Sequence, residues 1–419
     1  MKATKRFAII LVLVSFCFSA SAQFTLSGEF RPRTEYRHGF STLIADNENA
    51  AFFTSQRTRL NLRYAKDELS FFVSLQDIRV WGEVPQLNRS DANSSIHEAW
   101  AELKLNPEWA LKLGRQELVY DNARILGNVD WAQQGRSHDL ALLKWNGSGN
   151  SQFHAGFAFN QDSERRVNTT YTVNNYKTMQ FLWYNYKTAN TGLSLLFLNN
   201  GIQHSTNKTV FSQTTGGRIT QKLGNIDLSG SAYLQTGRDG ADRKLSAFYL
   251  AAEGGHTFSE RFKSALGFEY LSGTDFNNIN NNAATNRSFT PLYGTNHAFN
   301  GHMDYFYVGN HLNHVGLINP YLTTQYTTDK FIFMGHLHFF FADGVLPPFF
   351  GPGENRGLYL GTEVDLIAGY NLSPTTSIRF GYSHMLPSDK LEFIKGVNTN
   401  KVNNWAWVMV ILKPTLFSN

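Results

Sequence analysis

Ile226-Asp227-Leu228-Ser229-Gly230-Ser231-Ala232-Tyr233-Leu234-Gln235, set directly after the turn residues Gly224-Asn225, decides how this chain folds. Ile226, Leu228, Gly230, Ala232 and Leu234 fall on one parity, and Asp227, Ser229, Ser231, Tyr233 and Gln235 on the other. A period of two sends successive side chains to opposite faces of an extended strand, so one face is oily and the other polar. A helix would instead repeat its apolar residues at spacings of three and four. The same alternation recurs in Gln152 to Asn160, where Phe153, Ala155, Phe157 and Phe159 share a face. It returns in Phe331 to Phe341, where phenylalanines and Leu337 oppose a face bearing His336 and His338.

Working outward, we find eighteen such segments, beginning near residues 24, 51, 69, 96, 109, 138, 151, 177, 191, 208, 225, 243, 260, 314, 329, 358, 375 and 402. The connections between them alternate in length. Eight are tight, at 66–67, 106–107, 147–149, 188–190, 224–225, 259–260, 328–329 and 373–374. Nine are longer, around 40–50, 83–95, 122–137, 161–176, 199–207, 236–242, 272–313, 342–357 and 386–401. A soluble sandwich has no reason to segregate loop lengths this way, whereas a transmembrane barrel of even strand number has short turns on its periplasmic side and long loops outside. The expected fold class is therefore all-β: a transmembrane antiparallel β-barrel of about 18 strands with both termini periplasmic. The residues from Gln23 onward supply about 22 per strand and connection, which suits spanning strands of 9–11 residues. The eight tryptophans, near predicted strand ends, are expected to form interfacial girdles.

Composition agrees. Of 419 residues, 42% are apolar and 17% charged, with one cysteine, so a disordered or disulfide-stapled chain is excluded. Past residue 22 the longest strictly apolar run is Trp405 to Leu412, too short for a membrane-spanning helix. Residues 1–22 read as a Sec-type signal peptide: Lys2, Lys5 and Arg6, an apolar run from Phe7 to Phe18, then Ala20-Ser21-Ala22 as the cleavage site. Cleavage near Ala22 would leave a single barrel domain, 23–419, delivered to the bacterial outer membrane, and would remove Cys17. The net charge of +5 then falls to 35 basic against 33 acidic residues, which gives no reason to expect a nucleic-acid partner.

Arginine is concentrated early: eleven of the twenty beyond residue 22 lie between Arg31 and Arg136. Glu29, Arg31 and Arg33 share a strand face opposite Phe24, Leu26 and Phe30, while Arg57 and Arg59 lie opposite Leu60 and Leu62. Charge on the lipid face is costly at mid-depth, so these residues are expected to look into the lumen. Glu98 and Glu102 join them from the fourth strand, Asp77 with Arg79 and Arg115 with Glu117 from the upper third and fifth, and Arg136 from the loop before the sixth. Bulges near Gln76 and Gly114 would turn the third and fifth strands' charges inward. Together Glu29, Arg31, Arg33, Arg57, Arg59, Asp77, Arg79, Glu98, Glu102, Arg115, Glu117 and Arg136 are the expected lumen constriction. Two readings stand side by side: a charged constriction facing anionic solute, or a salt-bridge network bracing the wall, since 16 acidic residues accompany 14 basic ones between Gln23 and Leu140.

Enzyme chemistry is not indicated. There is no Gly-x-Ser-x-Gly motif, and Gly351-Pro352-Gly353-Glu354-Asn355-Arg356-Gly357 lacks the Lys-Ser/Thr of a phosphate-binding loop. His311 with His314 and His336 with His338 are the metal candidates, but no third ligand has recognisable spacing, so neither metal nor cofactor is expected.

A family resemblance rests on Gln76-Asp77-Ile78-Arg79-Val80-Trp81-Gly82-Glu83, Leu113-Gly114-Arg115-Gln116-Glu117-Leu118, Arg124-Ile125-Leu126-Gly127 and Trp131-Ala132-Gln133-Gln134-Gly135-Arg136. With these the chain resembles the alginate-export family of outer-membrane barrels. Leu292-Tyr293-Gly294-Thr295-Asn296-His297 and His302-Met303-Asp304-Tyr305-Phe306 are similar to its Bacteroidetes-type branch. The resemblance implies an eighteen-stranded barrel whose Arg-rich, acid-tempered lumen passes an anionic polysaccharide. The function expected is an outer-membrane porin or channel for anionic solutes or polysaccharide, with outer-membrane lipid as its surroundings. The alternative is a non-conducting surface or adhesion barrel acting through its loops, above all Asp275 to Asn300.

Overall fold

The computed structural model describes residues 23–147, 149–205, 207–280, 284–309, 311, 314–347 and 356–419. The expected signal peptide and most of the Gly351–Gly357 stretch lie outside them. Eighteen strands form one antiparallel sheet: β1 (Gln23–His38), β2 (Ala51–Lys66), β3 (Leu69–Val80), β4 (Ser94–Lys104), β5 (Trp109–Gln116), β6 (His138–Asn146), β7 (Ser151–Phe159), β8 (Thr178–Lys187), β9 (Thr191–Ser205), β10 (Lys208–Leu223), β11 (Ile226–Arg238), β12 (Lys244–Thr257), β13 (Phe262–Leu271), β14 (Leu317–Thr327), β15 (Phe331–Phe341), β16 (Tyr359–Ser373), β17 (Thr376–Pro387) and β18 (Asn403–Leu412, resuming as Thr415–Ser418). Each strand pairs with its sequence neighbours, and β1 closes the ring by pairing with both β2 and β18, Arg31 lying opposite Arg57 and Glu35 opposite Trp407. Closure leaves no sheet edge, the condition for strands to cross a bilayer.

The alternation behaves as its period demands. Phe71, Leu113, Phe157, Leu182, Leu195 and Leu266 are exposed on the outside, facing lipid, while Arg31, Glu35, Arg57, Tyr233 and Tyr249 are buried on the inside. One connection is shorter than expected. Residues 199–205 belong to β9, which pairs with β10 as far as Ser205 opposite Lys208, because their asparagines and glutamine suit a sheet that rises above the membrane.

The expected inward turn of the third and fifth strands does not occur. β3 keeps strict alternation, so Asp77 lies opposite Thr58 and Arg79 opposite Gln56 on the outer face. The register shift sits across Ser74/Leu75, and its extra residue is His97 of β4. Arg115, opposite Ala99, likewise faces outward, in an unbroken ladder through Gly114. These charges are tolerated because they stand at the extracellular ends of their strands, where lipid-face charge costs only about 0–1 kcal/mol. There they pair locally: Arg79 Nε with Asp77 Oδ1 at 2.6 Å, and Arg115 Nη1 with Asp139 Oδ2 at 2.9 Å.

The tryptophans also divide. Trp109 pairs with Trp145 on the outer wall beside a periplasmic turn, and Trp81 is exposed near the opposite rim. Trp183, Trp405 and Trp407, however, are buried inside the barrel, where inward-folded loops cover them.

Candidate functional site

Two connections fold into the lumen. Segment 117–137, between β5 and β6, and segment 272–316, between β13 and β14, meet across it: Leu126 bridges Tyr293, Gly127 N donates to Tyr293 O at 2.9 Å, and Thr295 N donates to Ala123 O at 2.8 Å. The approach is close enough that a Cβ on Gly294 would lie 2.1 Å from Arg124 O. Of the nine non-glycine residues with left-handed φ among those described, six fall in these segments: Asp121, Ala123, Val129, Leu292, Asn300 and Asp304. A β-branched residue such as Val129 at φ +52° stays there only if surrounding contacts over-determine it.

Those contacts come from the early arginines. Arg31, Arg33, Arg57 and Arg59, all buried on the inner face of β1 and β2, donate to the loop that crosses them. Arg31 Nη2 donates to Asp130 O (2.8 Å), Arg33 Nη1 to Trp131 O (2.7 Å), Arg57 Nη1 to Gln133 O (3.3 Å) and Arg59 Nη2 to Gln134 O (3.2 Å). The guanidinium fork suits this work because it offers several donors in a fixed plane to carbonyls that have left the sheet. Asp130 brings a carboxylate into the same group, 2.7 Å from Arg57 and 3.4 Å from Arg31. Burial pushes the Asp130 acid up, but Arg57 and Arg31 outweigh it and hold the carboxyl down at about 2. Beneath, Glu29 accepts from Arg57 at 2.6 Å, and Glu35 receives both Arg33 and Arg37.

The Trp131 ring completes the clamp. It stacks on His297 of the second segment (centroids 4.5 Å apart), carries the Arg33 guanidinium at 4.0 Å, and meets Trp405 and Trp407 edge-on.

The other expected residues spread around the wall. Glu98 accepts the Glu117 N–H (3.0 Å), and Glu117 bonds His97 Nε2 (2.7 Å) and Asn128 (2.8 Å), one step from Arg59. Glu102 lies nearer the periplasm, paired with Lys144 at 2.8 Å. Arg136 reaches away from the clamp, donating to Gly294 O at 3.0 Å. Asp77, Arg79 and Arg115 are outside the lumen altogether. Sequence reasoning missed Asp130, Gln133 and the carbonyls of 130–134, and missed Arg124, whose buried ion pair with Glu269 (3.0 Å) crosses to β13. The Trp131–Arg136 stretch was the available signal. Below the two segments, cavities of about 270, 290 and 210 Å³, all bordered by Glu253, lead down to the periplasmic turn at 187–192.

A family model described as alginate export matches residues 22–404. The chain belongs to the alginate-export family. Among solved structures, this alginate-export barrel is similar to OccK9 (OpdG) of Pseudomonas aeruginosa, at 14% identity and a TM-score of 0.62 over 94% of this chain and 98% of that one. It is also similar to OpdK of the same organism with vanillate (12%, TM-score 0.62, 94% and 99%) and to OccAB4 of Acinetobacter baumannii (12%, TM-score 0.62, 94% and 98%). At such identities the likeness concerns the fold. No curated protein matches significantly. Family and barrel together make this alginate-export protein an outer-membrane channel, set in bacterial outer-membrane lipid and passing solute, and not an enzyme.

Proposed function

We propose that this channel passes anionic solutes, the carboxylated sugars of an acidic polysaccharide among them, and that the arginines of β1 and β2 are where the anion is met. The observation that carries this reading is the position of Asp130. Its carboxylate lies between Arg31 and Arg57, so a group of the solute's own chemistry already occupies the site. Among the described residues the buried Arg57 Nε has no hydrogen-bond partner, so it is a spare donor for an anion once the segment shifts aside. In this reading segment 117–137 acts as a built-in competitor: solute carboxylates exchange with Asp130 and its neighbouring carbonyls as the segment shifts. Salt weakens the attraction beyond about 8 Å at physiological ionic strength.

Planar bilayers under a salt gradient test it. The wild-type barrel should give current steps with an anion-selective reversal potential. The double variant Arg57→Gln, Arg59→Gln should shift that potential toward cations, and Asp130→Asn should raise the current carried by a uronate salt. Absence of steps would favour the adhesion alternative. An unmoved reversal potential would leave the arginines only a bracing role.

A further inference from the structure

The lumen beside β1 and β2 is filled by arginines and the loop they hold. On the far side the wall is bare. Ser229, Ala251, Gly255, Gly267 and Thr323 share the inward parity of Tyr233, Tyr249, Glu269 and Asn319, so small side chains line the inner face from β11 to β14. The cavities of about 270, 290 and 210 Å³ lie against this stretch, and Glu253 borders all three.

Three larger groups stand in the bare stretch. Gly267 of β13 is opposite Tyr321 of β14, and a Cβ there would lie 2.0 Å from Tyr321 Cζ. Only glycine lets this ring lie down over its neighbouring strand. From there the Tyr321 hydroxyl reaches past β13 and donates to Glu253 Oε2 of β12 at 2.8 Å. The phenol is thereby fixed at both ends, with His338 beside it at 5.5 Å between centroids. The third group, Arg218 of β10, is one strand beyond: it lies opposite Ser231, and Ser229 lies opposite Glu253. Two strand spacings set Arg218 and Glu253 about 10 Å apart along the sheet.

Neither charge is used up. Arg218 Nη1 donates to Ser231 Oγ at 3.1 Å, and among the described residues no carboxylate ion-pairs with the guanidinium. Among the same residues Glu253 receives one hydrogen bond, at Oε2, so Oε1 is a spare acceptor. Arg218, Glu253 and Tyr321 are all half-buried and all border the 270 Å³ cavity. The other carboxylate there, Glu269, is already paired with Arg124. The site therefore offers donors, an acceptor and an aromatic ring around a space too small for a solute that needs the about 300–1,000 Å³ of a drug-sized pocket.

We infer that this place binds one uncharged pyranose ring of a sugar. A sugar hydroxyl both donates and accepts, so neighbouring hydroxyls can bond an acceptor and a donor that do not touch each other, here Glu253 and Arg218. The C–H groups on the ring's flat face carry slight positive charge and meet the negative face of Tyr321. A free carboxylate is not favoured, because Glu253 repels what Arg218 attracts. The site is thus chemically distinct from the arginine clamp and adds a neutral class of ligand to the anionic one proposed above.

The test reads binding and not conduction, so its result is independent of the anion reading. The full-length barrel, in a detergent without a sugar headgroup, is mixed with methyl β-D-glucopyranoside, methyl α-D-mannopyranoside or glucuronate, and saturation-transfer NMR follows the ring protons. Transfer to at least one neutral glycoside is expected, stronger than to glucuronate. Glu253→Gln should weaken glycoside binding by about tenfold or more, the loss of a hydrogen bond to a charged group, and should narrow the gap to glucuronate. Tyr321→Ala should abolish the signal while Tyr321→Phe, which keeps the ring, retains it. Gly267→Ala removes no contacting group, yet should weaken binding by lifting that ring off the wall. Heat-modifiable gel mobility confirms that each variant is folded. No transfer to either neutral glycoside overturns the inference. So does equal binding in wild type and Glu253→Gln, or a preference for glucuronate in the wild type, which keeps the test decisive should Gly267→Ala fail to fold.

Discussion

Replacing Arg57 with alanine isolates how firmly segment 117–137 is held. Arg57 is fully buried and makes two kinds of contact. Toward the segment it donates to Gln133 O at 3.3 Å and pairs with Asp130 at 2.7 Å; toward the wall it pairs with Glu29 at 2.6 Å. A hydrogen bond from a charged donor contributes about 1.5–3 kcal/mol. The Asp130 pair contributes less than its distance suggests, because that side chain is 48% exposed and water screens it; about 0.2–1 kcal/mol is appropriate. Loss of the segment contacts therefore costs about 2–4 kcal/mol, which raises the opening equilibrium roughly 30- to 1,000-fold. Arg31, Arg33 and Arg59 still hold the loop, so the open fraction stays small and conductance is an insensitive readout. Hydrogen–deuterium exchange reads the opening directly. The amides of Ala132, Gly135 and Arg136, bonded within the segment to Val129, Ala132 and Asn128, should exchange faster by the same factor. Glu29→Gln is the matched control: it breaks the wall pair without touching the loop, and should lower the unfolding temperature while leaving those amides protected. Equal exchange in both variants would refute the reasoning and place the hold elsewhere, at Arg124–Glu269 or the Tyr293 bridge.

Acid should release the same segment. The Asp130 carboxyl sits at about 2 in the folded barrel against an ordinary 3.8, so its contribution is complete above about 4 and disappears as pH falls through 2; pepsin should nick 118–137 increasingly across that window, and Asp130→Asn should be nicked alike throughout. Gly114 has φ +118° and a Cβ there would stand 2.4 Å from Ala99 O, whereas Gly82, at φ +90°, has open space around it. Gly114→Ala should thus lower the unfolding temperature more than Gly82→Ala, which carries only a backbone cost of about 1–3 kcal/mol; equal drops would discount the clash. Trp131→Ala, removing the ring shared by Arg33 and His297, should cost about 2 kcal/mol for a half-buried tryptophan and loosen both inward segments together, seen as parallel gains in exchange at 117–137 and 297–305.

The barrel was legible in the sequence because a strand's side-chain period is two and a bilayer punishes error. Ile226 to Gln235 cannot satisfy lipid on one face and water on the other in any register but one, and the alternation of short and long connections followed from which end of the barrel each strand leaves. The same rule correctly turned Glu29, Arg31, Arg33, Arg57, Arg59, Glu98 and Glu102 inward. It was misapplied at Asp77, Arg79 and Arg115, where inward bulges were assumed although headgroup depth already makes outward charge inexpensive. What stayed illegible was everything that depends on loops meeting across the lumen. Asp130 lies about a hundred residues from Arg31, His302 comes from a different segment than His336, and Trp405, which its strand already turns inward, is met edge-on there by Trp131 from a loop some 270 residues away. No local periodicity encodes those meetings, because they are fixed by where closure of the ring happens to carry each loop. The tertiary structure alone decided that the arginines bind a loop's carbonyls and carboxylate, and that a bare stretch of wall becomes a cavity bordered by Arg218, Glu253 and residues of the loop above it.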